Sequence, residues 1–430
     1  MLPLTREDLH PSLADPALAT IGFLNEVMSR HPEAISLAPG APHPSFIRQA
    51  DGRRAVERYL DHLADTEGLG RDRAQLLLHE YGPSRGLING LIATALHHDL
   101  GIEVPARAVV VTVGAQEAML LTLRALFRSP DDVLAVTDPC FPGVIGAARL
   151  LDIPLVPVPD DGDGLDLDRL EDACAAARRA GRRIRLCYVA PDFANPSGSR
   201  MDLAARHRLL DLADREDLLL MEDGVYGFTA PPAQELPTLL SLDRGHRVVH
   251  VGSFAKICFP GARVGFAVAP QPVTRADGNG LLADELAAVK SMVTVNTSPW
   301  SQALVGGMLL EHGGSLRALG QAKSELYRRN LDLLCDALER HLGADPPAGV
   351  AWNRPEGGFF VRMTLPVPAD AALLEVSAAE YGVLWTPMTG FRLGDAGAHA
   401  LRLSCSYLDP EQIETGVRRL ARFLHAEVAR

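Results

Sequence analysis

Short apolar runs alternate along this chain with longer stretches in which apolar positions recur at helical spacing. The runs at 108–113, 133–137, 155–158, 184–190, 218–222, 248–253 and 264–269 have the length and branched apolar content of buried strands. Between them, 116–127, 167–180 and 203–215 carry the amphipathic period of helices. Strands separated by helices need crossover connections, so the pattern predicts an α/β fold with a mostly parallel sheet covered on both faces. Ligands of such sheets sit at the carboxyl ends of the strands.

From about residue 315 the pattern changes to a long helical stretch, 315–342. Shorter elements follow at 358–363, 373–381 and 401–406, and a helix at 411–427 closes the chain. We expect residues 51–314 to form a large domain and residues 315–430 a small C-terminal α/β domain, joined by the N-terminal segment 1–50. Segment 271–280 reads as a loop and 160–164 as a turn-rich connection.

The chain has 430 residues, enough for two such units, and its net charge of -12 argues against a nucleic-acid or anionic-membrane surface. Six cysteines are scattered without a C-x-x-C pair, which speaks against a disulfide framework or a metal site. The first twenty residues lack the apolar core of a signal peptide, and no later run has the length of a membrane span. The expectation is a cytoplasmic enzyme.

The most informative stretch is Ser253-Phe254-Ala255-Lys256-Ile257-Cys258-Phe259-Pro260-Gly261-Ala262-Arg263. A lysine in an apolar setting loses solvation, its pKa falls, and the neutral amine attacks carbonyls to form a Schiff base. The serine three residues before it and the arginine seven after it offer donors to an oxyanion. An amine for an aldehyde beside donors for a phosphate describes a site for pyridoxal phosphate.

Other strand ends add to it. The strand-to-helix turn Gly114-Ala115-Gln116 presents backbone N–H groups that suit a phosphate. Phe141 is either a ring to stack on a flat heterocycle or a core phenylalanine. Asn195 either forms an Asn-Pro turn or donates to a phenolate oxygen. Asp223 either caps the next helix or pairs with a pyridinium nitrogen and keeps it protonated, with Tyr226 beside it. Arg402, in mid-strand among apolar residues, requires an anion, either a structural carboxylate or the carboxylate of a substrate. His43, in an N-terminal loop, is a specificity candidate, although loop histidines usually face solvent.

Taken in order, Asn195, Asp223, Tyr226, Ser253, Lys256, Arg263 and Arg402 resemble the site of fold-type I pyridoxal phosphate enzymes of the class I and II aminotransferase group. The resemblance runs from about Ile35 to the C-terminus, on the side of the 2-aminoadipate and kynurenine aminotransferases. Through Phe23-Leu24-Asn25-Glu26 and the segment 111–119, the chain is also similar to the hydroxyphenylglycine-type aminotransferases of actinobacterial antibiotic pathways. The resemblance implies a large, mostly parallel seven-stranded sheet domain and a smaller α/β domain. It implies that Lys256 bonds the cofactor and moves a substrate proton, with Asp223, Asn195 and Tyr226 on the ring. Ser253, Arg263 and Gly114-Ala115-Gln116 would hold the phosphate, and Phe141 would stack on the ring. Arg402, Gly40 and Asn195 would face the substrate, and Tyr81 would reach the phosphate of a neighbouring subunit in a homodimer. Phe141 stands where tyrosine is frequent, and Ala255 and Ile257 replace the usual Ser and Thr. The implied reaction moves an amino group from an α-amino acid to a 2-oxo acid. The same residues would also serve an alternative in which dioxygen oxidises the amino acid, with or without decarboxylation.

Overall fold

The computed structural model describes residues 4–15, 18, 22, 26–27, 29–49, 51–160, 162–276, 278–393 and 397–428. Phe23, Leu24 and Asn25 of the N-terminal motif lie outside the described residues. The first strand is β1 (Ile35–Ser36). The central elements are β2 (Val109–Thr112), β3 (Asp132–Asp138), β4 (Leu155–Pro159), β5 (Arg183–Val189), β6 (Leu219–Asp223), β7 (Val248–Ser253) and β8 (Gly265–Val268). These seven form one sheet in the order β2-β8-β7-β6-β5-β3-β4, parallel throughout except for β8, which runs antiparallel to both neighbours.

Burial on both faces explains the unbroken apolar runs. Leu186, Tyr188, Met221, Val249 and Val251 pack into one core, while Cys187, Val189, Leu220 and Val248 pack into another. Helices Ala115–Leu126, Leu167–Arg179 and Leu203–Arg215 make the crossovers. The last two begin at Asp166 and Asp202, whose carboxylates accept the N–H groups of Arg169 and Ala205.

Segment 271–280 is an antiparallel hairpin, β9 (Pro272–Arg275) with β10 (Gly278–Leu281), and not the loop its composition suggests. Thr274, Gly278 and Asn279 are exposed, so no apolar alternation marks it. The stretch after residue 315 opens as the helix Leu316–Leu338. Beyond it, β11 (Ala351–Trp352), β12 (Phe360–Thr364), β14 (Thr386–Pro387) and β15 (Ala400–Ser404) form an antiparallel sheet in the order β11-β12-β15-β14. The N-terminal β1 pairs in parallel with β13 (Val383–Leu384), and Leu37 accepts the Ser404 N–H through its carbonyl at 2.7 Å. That pairing lays residues 38–41 across the end of β15. Among the described residues, no helix is long and apolar enough to cross a membrane.

Candidate active site

The site is assembled where adjacent strands stop. Asp223 is the last residue of β6, in register with Val251 of β7, and Lys256 follows three residues after β7 ends. Lys256 donates to the Gly40 carbonyl, so the N-terminal segment closes over the amine. Burial, with Arg402 and Arg263 nearby, pulls the Lys256 ammonium down from 10.5 to about 8. Near neutral pH the amine is still mostly protonated, but it releases its proton far more readily than an exposed lysine.

Asp223 is buried, and burial raises its carboxyl above the usual range. It accepts from the Tyr188 hydroxyl at 2.6 Å and from the Val225 N–H at 3.3 Å, and it has no cationic partner among the described residues. A desolvated carboxylate without a counter-ion fits a pyridinium nitrogen. Asp223 is therefore not spent as a helix cap. Tyr188 was not anticipated from sequence, although a tyrosine inside a buried strand must find a partner for its hydroxyl.

Asn195, in the loop after β5, donates its amide to the Tyr226 hydroxyl at 3.5 Å and accepts from Arg402 Nη1 at 2.6 Å. Tyr226 packs edge-on against Phe359 and Phe360. Arg402 projects from β15, buried, with its guanidinium 4.3 Å from the Phe360 ring centre. Its Nη2 donates to the Ala38 carbonyl at 2.7 Å and to Thr386 Oγ1 at 3.3 Å, and its Nε–H has no partner. Among the described residues no carboxylate lies within ion-pair distance of Arg402; its partners are Asn195, Ala38 and Thr386. A buried guanidinium whose partners are neutral oxygens fits an incoming anion.

The phosphate candidates also converge. Arg263, in the left-handed region at φ 50°, lays its guanidinium against Gly114, where a Cβ would sit 2.5 Å from Nη2. No side chain caps the helix beginning at Ala115. Gly265 brings β8 equally close, since a Cβ there would lie 2.6 Å from the Ala115 nitrogen. Ser253 ends β7 and accepts the Ala255 N–H at 3.1 Å. Uncapped first-turn amides beside a guanidinium and a hydroxyl fit a phosphate. Phe141 precedes the helix Pro142–Leu150 and packs on the core beside it. Tyr81 is not brought to the site within one chain. It is 88% exposed. His43, expected to face solvent, is instead buried, with Nδ1 2.8 Å from Ser45 Oγ and Nε2 3.2 Å from Asp409.

This geometry accords with what the chain is similar to. Residues 56–420 match the family model described as aminotransferase class I and II. The chain belongs to that family. The (S)-3,5-dihydroxyphenylglycine transaminase of Amycolatopsis orientalis is 45% identical over 425 residues, covering 99% of this chain and 95% of that protein. The 2-aminoadipate transaminase of Thermus thermophilus is 31% identical, covering 94% and 93%. Among solved structures, the α-aminoadipate aminotransferase of Thermus thermophilus, complexed with N-(5'-phosphopyridoxyl)-L-leucine, is 29% identical with a TM-score of 0.78, covering 97% of both chains. The fold is that of the fold-type I enzymes, the cofactor is pyridoxal phosphate, and the chain is an aminotransferase acting between an amino acid and a 2-oxo acid. The dioxygen-dependent alternative is not favoured, because these relatives are named for amino transfer.

Proposed function

We propose that this aminotransferase acts on an aromatic α-amino acid of the arylglycine type in antibiotic biosynthesis. The 45% identity to a dihydroxyphenylglycine transaminase over nearly the whole of both chains carries the reading. In it, the Lys256 amine would hold the cofactor's aldehyde carbon and would serve as the base for the proton on the substrate Cα. Asp223 holds the ring nitrogen protonated, while Tyr226 and Asn195 hold the ring hydroxyl and Phe141 stacks on the ring. Gly114, Ala115, Gln116, Ser253 and Arg263 hold the phosphate. Arg402 grips the substrate carboxylate, with Gly40 and Asn195 beside it. When bound, pyridoxal phosphate supplies an electron-withdrawing ring that takes up charge from the reacting carbon.

We further propose a homodimer in the cytoplasm, with residues 1–50 and 315–430 forming the small domain and 51–314 the large one. Support for the dimer comes from the exposed side chains of Tyr81, Met292, Val293 and Trp300, which a partner subunit would cover. Tyr81 would then complete the partner's phosphate site. The decisive experiment mixes the cofactor-loaded protein with a panel of amino acids and no oxo acid, following absorbance and dissolved oxygen together. Stoichiometric amination of the cofactor by an arylglycine, with flat oxygen, is expected. Continuous oxygen uptake would overturn the reading, as would conversion by 2-aminoadipate alone.

A further inference from the structure

Directly after the turn 114–116 stands a charged residue that the site as described leaves unused. Glu117, in the first turn of the helix Ala115–Leu126, is buried. Its Oε2 accepts the Val113 N–H at 2.6 Å and the Lys290 ammonium at 2.7 Å, and its Oε1 accepts from the Thr294 hydroxyl at 2.6 Å. Lys290 has no exposed surface, and it also donates to Thr294 Oγ1 at 2.8 Å. Burial pulls its ammonium below the usual lysine range, and Glu117 opposes that shift.

Removing two charges from water costs several kcal/mol per ion, so a buried pair is a weak reason for stability alone. Its location suggests another. A carboxylate in the first turn bonds the Val113 amide and fixes the path of the backbone just before the phosphate-binding turn. Left uncompensated, the same charge would repel a phosphate and cancel the positive end of the helix dipole.

We propose that Glu117 and Lys290 are positioning residues for the cofactor phosphate. Glu117 clamps the turn through Val113, and Lys290 cancels the carboxylate so that the helix start still attracts a dianion. This rests on the reading that Arg263 and the 114–116 turn hold the phosphate.

The test uses the full chain freed of cofactor, titrated by tryptophan fluorescence with pyridoxal phosphate and, separately, with pyridoxal. Lys290→Met is expected to weaken pyridoxal phosphate binding on the order of tenfold or more, with pyridoxal unchanged within about twofold. Glu117→Gln keeps an oxygen to accept the Val113 N–H and leaves the Lys290 charge in place, so it should not weaken phosphate binding. The double variant E117Q/K290M should return within about threefold of the parent. Equal losses for both ligands with K290M, or a double variant no better than K290M, would overturn the proposal. Where K290M does not fold, a phosphate-specific tenfold loss in E117Q would overturn it as well. Arg263→Gln separates the two readings. If R263Q loses phosphate-specific affinity and K290M does not, only the inference fails. If R263Q spares pyridoxal phosphate binding, the assignment of the phosphate site itself fails.

Discussion

Replacing Arg402 with alanine tests the assignment of the substrate end. The guanidinium is buried, is held by Asn195, Ala38 and Thr386, and retains an Nε–H without a partner. A substrate carboxylate would gain two charge-assisted hydrogen bonds here, each worth about 1.5–3 kcal/mol. Their loss predicts a fall in kcat/KM of about two to four orders of magnitude, at about 1.4 kcal/mol per factor of ten. Arg402 also depresses the Lys256 amine, so its removal would shift that titration. Rates should therefore be compared at about pH 9 as well as at neutrality. The assay follows the single-turnover half-reaction by absorbance, with an α-amino acid and with the primary amine that lacks only its carboxylate. The variant should lose the amino acid selectively, changing the amine by less than about threefold. Arg402→Lys, which keeps the charge without the planar fork, should fall between. Equal losses for both substrates would mean that Arg402 acts through folding. No loss for the amino acid would mean that the carboxylate binds elsewhere.

Other outcomes follow from the same geometry. Capture of pyridoxal phosphate by the cofactor-free protein should accelerate with pH, with a midpoint at about 8 as Lys256 loses its proton, and a midpoint above 10 would contradict the burial of the amine. The folded amine releases its proton at about 8 while the unfolded one keeps it to 10.5, so the unfolded chain binds more protons between these values. Stability of the cofactor-free protein should therefore rise with pH across that window, as read by chemical denaturation. Asp223→Asn should lower kcat by about 10²-fold or more while the lysine-bound cofactor band persists, and near-normal turnover would disprove its pairing with the ring nitrogen. Gly40→Ala would place a methyl 2.8 Å from the Phe360 ring, which stacks on Arg402. A loss of about 1–3 kcal/mol in stability and weakened substrate capture are expected, and an unchanged Tm with unchanged KM would count against that packing.

Much of the molecule was legible because its signals are local. Apart from the edge strand β4, the strands of the sheet are largely buried on both faces, so apolar runs mark them, and the seven runs read from sequence are the seven strands of the sheet. Lysine, aspartate and asparagine at strand ends were visible because strand ends are where such sheets carry chemistry. The hairpin at 272–281 was not legible, since an exposed ribbon of polar residues needs no apolar pattern.

Pairings across long stretches of chain were decided only by the tertiary structure. The sequence offered a candidate nucleophilic lysine, a candidate phosphate turn and an arginine in want of an anion. It could not say whether a carboxylate of the protein satisfied Arg402, because that depends on what Asn195, Ala38 and Thr386 bring to it from distant parts of the chain. It could not show that the Gly40 carbonyl reaches Lys256, which follows from β1 pairing with β13. Nor could it join Glu117 to Lys290, 173 residues apart. Desolvation strengthens such contacts and sets the charges they tolerate, and it exists only once the chain has closed around them.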